Sequence, residues 1–153
     1  MSDDFCLDIS IPSDDDGYVL LQCPTCSTFF KITPADLKDD GLLEIICPCC
    51  GLAGESYVTE DVINLATNMA INYSDDYLYH ELKKWERQSK NGPITLKAGK
   101  PPKREPETPI RSGIEALEIT NFPCCQRTAK IKPLLRITGC YCPFCGVKNY
   151  EVE

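Results

Sequence analysis

Ten of the eleven cysteines gather in four clusters, and the clusters fall into two pairs. The first pair is Cys23-Pro24-Thr25-Cys26 and Cys47-Pro48-Cys49-Cys50-Gly51. The second is Pro123-Cys124-Cys125 and Cys140-Tyr141-Cys142-Pro143-Phe144-Cys145-Gly146. A Cys-x-x-Cys turn followed by glycine sets two thiolates on one side of a tight loop. Two such turns, brought together by a hairpin, make the tetrahedral sulfur cage that zinc prefers. Each cysteine-bearing segment spans only about 40 residues, too few for a hydrophobic core alone to hold. A bound zinc contributes on the order of 10 kcal/mol to folding such a piece. Two Zn2+ sites are therefore expected.

A disulfide framework is the competing reading of so many cysteines. The chain opens Met1-Ser2-Asp3-Asp4, with neither a positive start nor an apolar stretch, so no secretory signal is read there. No apolar run approaches 18 residues, so no membrane span is expected. In a reducing cytoplasm, where this chain is expected, clustered Cys-x-x-Cys pairs are metal sites. A redox role for Cys23-Pro24-Thr25-Cys26 needs a helix beginning at the first cysteine. Here Phe29-Phe30-Lys31-Ile32 follows the pair and reads as a strand.

The formal net charge of −7 hides an asymmetry. Residues 1–82 hold 16 acids and 2 bases, a net of −14; residues 83–153 hold 14 bases and 7 acids, a net of +7. The whole chain is repelled by phosphate at long range, while its C-terminal half alone is a plausible anion binder.

Along the chain, residues 1–16 form an acidic tail with Asp3, Asp4, Asp8, Asp14, Asp15 and Asp16. Residues 17–58 read as strand, cysteine turn, strand, Asp39-Asp40-Gly41 turn, a third strand over Leu42–Ile46, and a second cysteine turn. Residues 59–91 carry a helical pattern. Thr59-Glu60-Asp61 is a start signal, and Val62, Leu65, Ala66, Met69 and Ala70 recur at spacings of three and four. Ser74-Asp75-Asp76 is a place where this helix restarts or breaks, and Tyr77, Leu78, Leu82 and Trp85 extend the stripe. Two small sheets bury little, so the stripe with Trp85 is expected to pack on one of them. Residues 92–113 contain five of the twelve prolines and read as a basic, extended linker. A second sheet-forming segment covers 114–153.

The two cysteine segments form a degenerate repeat. Cys26, Lys31, Ile32 and Pro34 align with Cys125, Lys130, Ile131 and Pro133, and Cys47-Pro48-x-Cys50-Gly51 aligns with Cys142-Pro143-x-Cys145-Gly146. These turns resemble the zinc-ribbon superfamily, best known from transcription factors and RNA polymerase subunits. The resemblance covers residues 18–57 and 115–152 and leaves the middle unmatched. It implies two antiparallel zinc ribbons joined by a helical segment and a proline-rich linker, a small metal-bound α+β fold. It carries no single function, because ribbons bind DNA, RNA and proteins alike.

The first metal site is read as Cys23, Cys26, Cys47 and Cys50, with Cys49 pointing away as a small apolar filler. In the second, Phe122 stands where the repeat places Cys23. Cys125, Cys142 and Cys145 keep their places, and the fourth ligand is Cys124 or Cys140. The reading adopted is Cys124, with a three-cysteine site as the remaining option.

Other chemistry is sparse. The lone His80 reads as a helix-surface residue, and no phosphate loop or nucleophile elbow is present. Lys97, Lys100, Lys103, Arg104, Arg127, Lys130, Lys132 and Arg136 are the candidates for a basic, nucleic-acid-binding surface. Of Phe29 and Phe30, adjacent on a strand, only one can point inward. These readings converge on a non-enzymatic zinc-binding adaptor that docks on a larger protein assembly, without membrane or small-molecule ligand. The alternative is a nucleic-acid-binding or transcription-related factor acting through its basic C-terminal ribbon and linker.

Overall fold

Two short hairpins generate the sheet, and each is closed by a cysteine turn. In a computed structural model, which describes residues 5–111, 113 and 116–152, β1 (Val19–Gln22) pairs antiparallel with β2 (Phe29–Ile32). Across the turn, Ser27 adopts a left-handed backbone with φ 61°. A four-residue helix, α1 (Pro34–Leu37), follows; Thr33 caps it by accepting the Asp36 N–H, and Pro34 supplies its first turn. The second repeat follows the same course. β3 (Glu118–Phe122) pairs antiparallel with β4 (Arg127–Ile131), Gln126 is left-handed at φ 53°, and a proline opens the helix Pro133–Thr138. The 30-residue helix between the repeats, Glu60–Ser89, is α2, and Pro133–Thr138 is α3.

The two hairpins share one four-stranded antiparallel sheet in the order β1-β2-β4-β3. The seam between β2 and β4 pairs Lys31 with Lys130, equivalent positions of the repeat. A local twofold relation thus runs through the seam. It extends to the second pair of cysteine turns: Ile46 N–H donates to Pro143 C=O at 2.9 Å, and Tyr141 N–H donates to Pro48 C=O at 2.9 Å. Gly51 and Gly146, which follow the last cysteines, both have positive φ (72° and 76°). A Cβ on Gly51 would lie 2.9 Å from the Tyr141 ring, and one on Gly146 would lie 2.8 Å from Ile46 Cδ1. Only glycine allows both the left-handed turn and this contact.

Alternation along β2 and β4 places Phe30, Ile32, Ala129 and Ile131 in a core that also buries Phe122, Cys140 and Val152. Phe29 is half-buried while Phe30 is fully buried, as the two-residue period of a strand requires. The expected third strand over Leu42–Ile46 does not form. Ile46 makes a single bridge to Ala53 there, whereas β5 (Cys140–Tyr141) pairs with β6 (Lys148–Asn149) in the second repeat.

Residues Ser10–Glu60 and Ile110–Glu153 make one compact unit, and Met1–Ile9 with Asp61–Pro109 make another. Within the second of these, α2 runs unbroken through Ser74-Asp75-Asp76. Residues 92–111 form no regular element, yet Leu96, Ala98 and Arg104–Glu107 bond to α2. Asn72, only 2% exposed, donates from Nδ2 to the Glu105 C=O (2.9 Å) and Glu107 Oε1 (2.8 Å), and its Oδ1 accepts the Glu105 N–H (2.7 Å). Arg104 joins Asp76 and Glu107. Trp85, expected to be packed, is 51% exposed, and Asn68 and Asn72 bond the segment at Glu105–Pro106 within this unit. No helix among the described residues is long and apolar enough to cross a membrane. Asp3 and Asp4 of the acidic tail, Ser112, Ile114 and Glu115 at the expected linker–ribbon boundary, and Glu153 lie outside the described residues.

Candidate metal centres and the basic residues

Each hairpin turn delivers two sulfurs and each following loop delivers two more. Cys23, Cys26, Cys47 and Cys50 converge so that all four sulfurs lie within 4.8 Å of one another, and so do those of Cys124, Cys125, Cys142 and Cys145. The Cys23–Cys50 and Cys26–Cys47 sulfurs are 3.7 and 3.5 Å apart, and those of Cys124 and Cys145 are 3.5 Å apart. A tetrahedron with bonds of about 2.3 Å spaces its sulfurs about 3.8 Å apart. A disulfide needs about 2.05 Å. The cysteines are free thiols in the geometry of a metal cage.

Backbone amides turn toward the sulfurs. Thr25 N–H donates to Cys23 Sγ and Cys49 N–H to Cys47 Sγ, both at 3.4 Å. These donors favour the thiolate form a metal requires. Burial pushes the Cys26 thiol up, but hydrogen bonds from the Thr28 hydroxyl and N–H and from neighbouring thiols outweigh it and bring it down to about 6. At Cys145 burial is likewise outweighed, by the Val147 N–H and nearby thiols, and the thiol is more acidic than usual. Burial pushes Cys47 and Cys142, both fully enclosed, well up.

The second cage differs in its fourth ligand. Phe122 is fully buried at the position of Cys23 and stands edge-on to Phe144 (6.4 Å, 77°). The fourth sulfur of this cluster comes from two places further along the turn, from Cys124, which occupies the position of Thr25. Asn149 Nδ2 donates to its sulfur at 3.7 Å. Cys140 lies outside this cluster and fills the core. Cys49 also stays out of its cage, but it is exposed to solvent; it is not the apolar filler its neighbours suggested, because the turn carries it outward between two ligands.

The basic candidates divide between the two units. Lys97, Lys100 and Lys103 are exposed, and Arg104 is held by Asp76 and Glu107. Of the candidates in the sheet-bearing unit, Lys132 alone is exposed and in none of the ion pairs among the described residues; Lys38, Arg111 and Lys148 of the same unit are likewise exposed and outside those pairs. Lys132 stands at the N-cap of α3, not on the face of β4 with Lys130. Arg127 forks onto Asp36 (2.9 Å) and Asp39 (2.6 Å), and Arg136 pairs with Glu118. Lys130, 8% exposed, meets Asp14 (2.7 Å) and Asp16 (2.6 Å). Asp14 also takes Lys31 at 3.0 Å.

The Asp14 cluster was not visible in the sequence. Two lysines face each other across the seam, and their repulsion is cancelled by a carboxylate from the segment read as a solvated tail. Burial pushes the Asp14 carboxyl up, and the hydrogen bonds from Lys130, the Tyr18 N–H and Lys31 overcome it, holding the group well below the usual carboxylate range. The one clue was the repeat, which places two lysines at equivalent strand positions and so demands a counter-charge wherever the strands meet. No protein-family model, no curated protein and no solved structure matches this chain.

Proposed function

We propose that this protein is a zinc-binding, non-enzymatic adaptor of the cytoplasm that docks on a larger protein assembly, with two zinc-ribbon-like modules fused into one rigid platform. All-sulfur donor sets at these spacings suit Zn2+, which binds thiolates tetrahedrally without redox chemistry. Four protein donors in each cage leave no coordination position for water, so the reading is structural rather than catalytic. The observation that carries the adaptor over the nucleic-acid reading is the neutralisation of three bases of the sheet-bearing unit. Arg127, Lys130 and Arg136, the strand and helix cations of the expected binding face, are all tied to acids. Such pairs offer few counterion-displacing contacts to phosphate.

The test uses the full chain. Elemental analysis is expected to give two zinc per chain. Fluorescence anisotropy with random-sequence duplex DNA and single-stranded RNA, at about 50 mM salt, is expected to show no binding. Micromolar binding that weakens steeply with salt would reverse the order of the two readings.

A further inference from the structure

The first repeat departs from the second at Leu42–Ile46. In the second, Cys140 and Asn149 face each other as strand partners. Their equivalents, Ile45 and Gly54, are separated by the hydroxyl of Tyr57, which accepts the Gly54 N–H at 2.8 Å and donates to the Ile45 C=O. Val152, with no hydroxyl, holds the place of Tyr57 in the second repeat. The tyrosine therefore acts as a wedge. It ends the ladder after the single Ile46–Ala53 bridge and leaves a strand-forming sequence, Leu42-Leu43-Glu44-Ile45, without a strand partner. Among the described residues, the N–H groups of Leu43, Glu44 and Ile45 make no hydrogen bond. Leu43 is 95% exposed.

An open groove of about 490 Å³ lies here, lined by Leu37, Leu42, Ile45, Ala53, Glu44 and Glu55 among others. No lysine or arginine lines it. Its third acid, Asp36, is engaged by Arg127, while Glu44 and Glu55 take part in none of the ion pairs among the described residues. We propose that this groove receives an extended segment of a partner protein, alternating apolar and basic side chains, which adds as a strand along Leu42–Ile45. The inference rests on the adaptor reading and names its docking surface. The free amides supply main-chain hydrogen bonds, the leucine and isoleucine side chains supply apolar contacts, and Glu44 and Glu55 select lysine or arginine. A second copy of this chain is a poor occupant. Antiparallel self-pairing about the centre of Leu42–Ile46 sets Glu44 against Glu44, and like charges directly opposite are destabilising.

The experiment uses the full, zinc-loaded chain and two labelled, end-capped hexapeptides, one alternating valine and lysine, the other valine and glutamate. Anisotropy measures affinity, and NMR amide exchange locates the contact. The lysine peptide is expected to bind at least tenfold more tightly than the glutamate peptide and to slow exchange at Leu43, Glu44 and Ile45. The variant Glu44→Lys/Glu55→Lys, altered only at exposed positions, should reverse the preference. Equal binding of both peptides, protection at another site, or an unchanged preference in the variant would overturn the inference. So would no binding of the lysine peptide. If the chain in that case still binds no nucleic acid, the adaptor reading survives with a different surface; nucleic-acid binding would remove both.

Discussion

The two repeats share their turn geometry and differ in their contents. Ser27 and Gln126 share a left-handed turn, Gly51 and Gly146 share another, and Cys47 N–H to Leu52 C=O (3.0 Å) is matched by Cys142 N–H to Val147 C=O (2.9 Å). Yet one cage uses Cys23 and the other Cys124, and one third strand is paired while the other is wedged apart. In the first cage two cysteines are buried, one is half-buried and one exposed; in the second only Cys142 is buried. The difference teaches that turn geometry is fixed by backbone hydrogen bonds, and that within this frame a ligand can slide two positions. In the second repeat Phe122 fills the inner position within the shared core, and the fourth sulfur of the cluster, on Cys124, is exposed.

The largest expected effect comes from removing a buried ligand. Cys23→Ser should abolish metal at the first cage and unfold the shared sheet, because a loss on the order of 10 kcal/mol rivals the whole stability of a small domain. Cys124→Ser should lower zinc from two to about one per chain while the sheet persists at reduced Tm, since its position is exposed and the Phe122 core remains. Elemental analysis with circular dichroism separates the cases. Equal collapse in both would erase the proposed asymmetry between the cages.

Next comes the seam. Asp14→Ala leaves Lys31 buried without a partner and should cost about 3–5 kcal/mol. Adding Lys31→Met and Lys130→Met should recover most of that loss. A carboxyl depressed in the folded state gives its full stabilisation above the unfolded value of about 4, and loses it only as pH falls through the depressed folded value. The cost of Asp14→Ala, measured by thermal melts, should therefore be constant between about pH 6 and 8. A cost that changes across that range would show that another group governs the seam.

The smallest effect is expected from Cys140→Ser. The equivalent of Ile45, this core thiol lies outside the cage. The variant should keep two zinc ions and lose about 1–2 kcal/mol through a poorly satisfied buried hydroxyl. Loss of zinc would make Cys140, not Cys124, the fourth ligand.

Much of this architecture could be read from spacing. The cysteine turns, the repeat of Lys-Ile-x-Pro, and the presence of a helix after Thr59 all follow from local periodicity, although the break read at Ser74-Asp75-Asp76 does not occur, and the neighbouring Cys124 and Cys125 sit where the structure gathers the second cage. Interactions between distant residues could not be read. Leu42–Ile46 has the composition of a strand, but a hydroxyl eleven residues beyond Ile46 breaks its ladder. Asp14 looked like one solvated acid among many until the seam gave it two lysines. The helix stripe was clear, while Asn68 and Asn72, which hold the proline-rich segment, resembled ordinary polar positions.

The reciprocal hydrogen bonds between Ile46 and Pro143 and between Tyr141 and Pro48 have a practical consequence. Together with the β2–β4 seam, they mean that the repeats recognise each other without help from the peptide bonds that join them. A cut within residues 61–109 would leave two polypeptides whose complementary surfaces, core and seam charges are intact. The sheet-bearing unit is in this sense a heterodimer written on one chain. Its two parts, produced separately and mixed with metal, form a natural pair for fragment complementation, in which reassembly reports that both cages have closed.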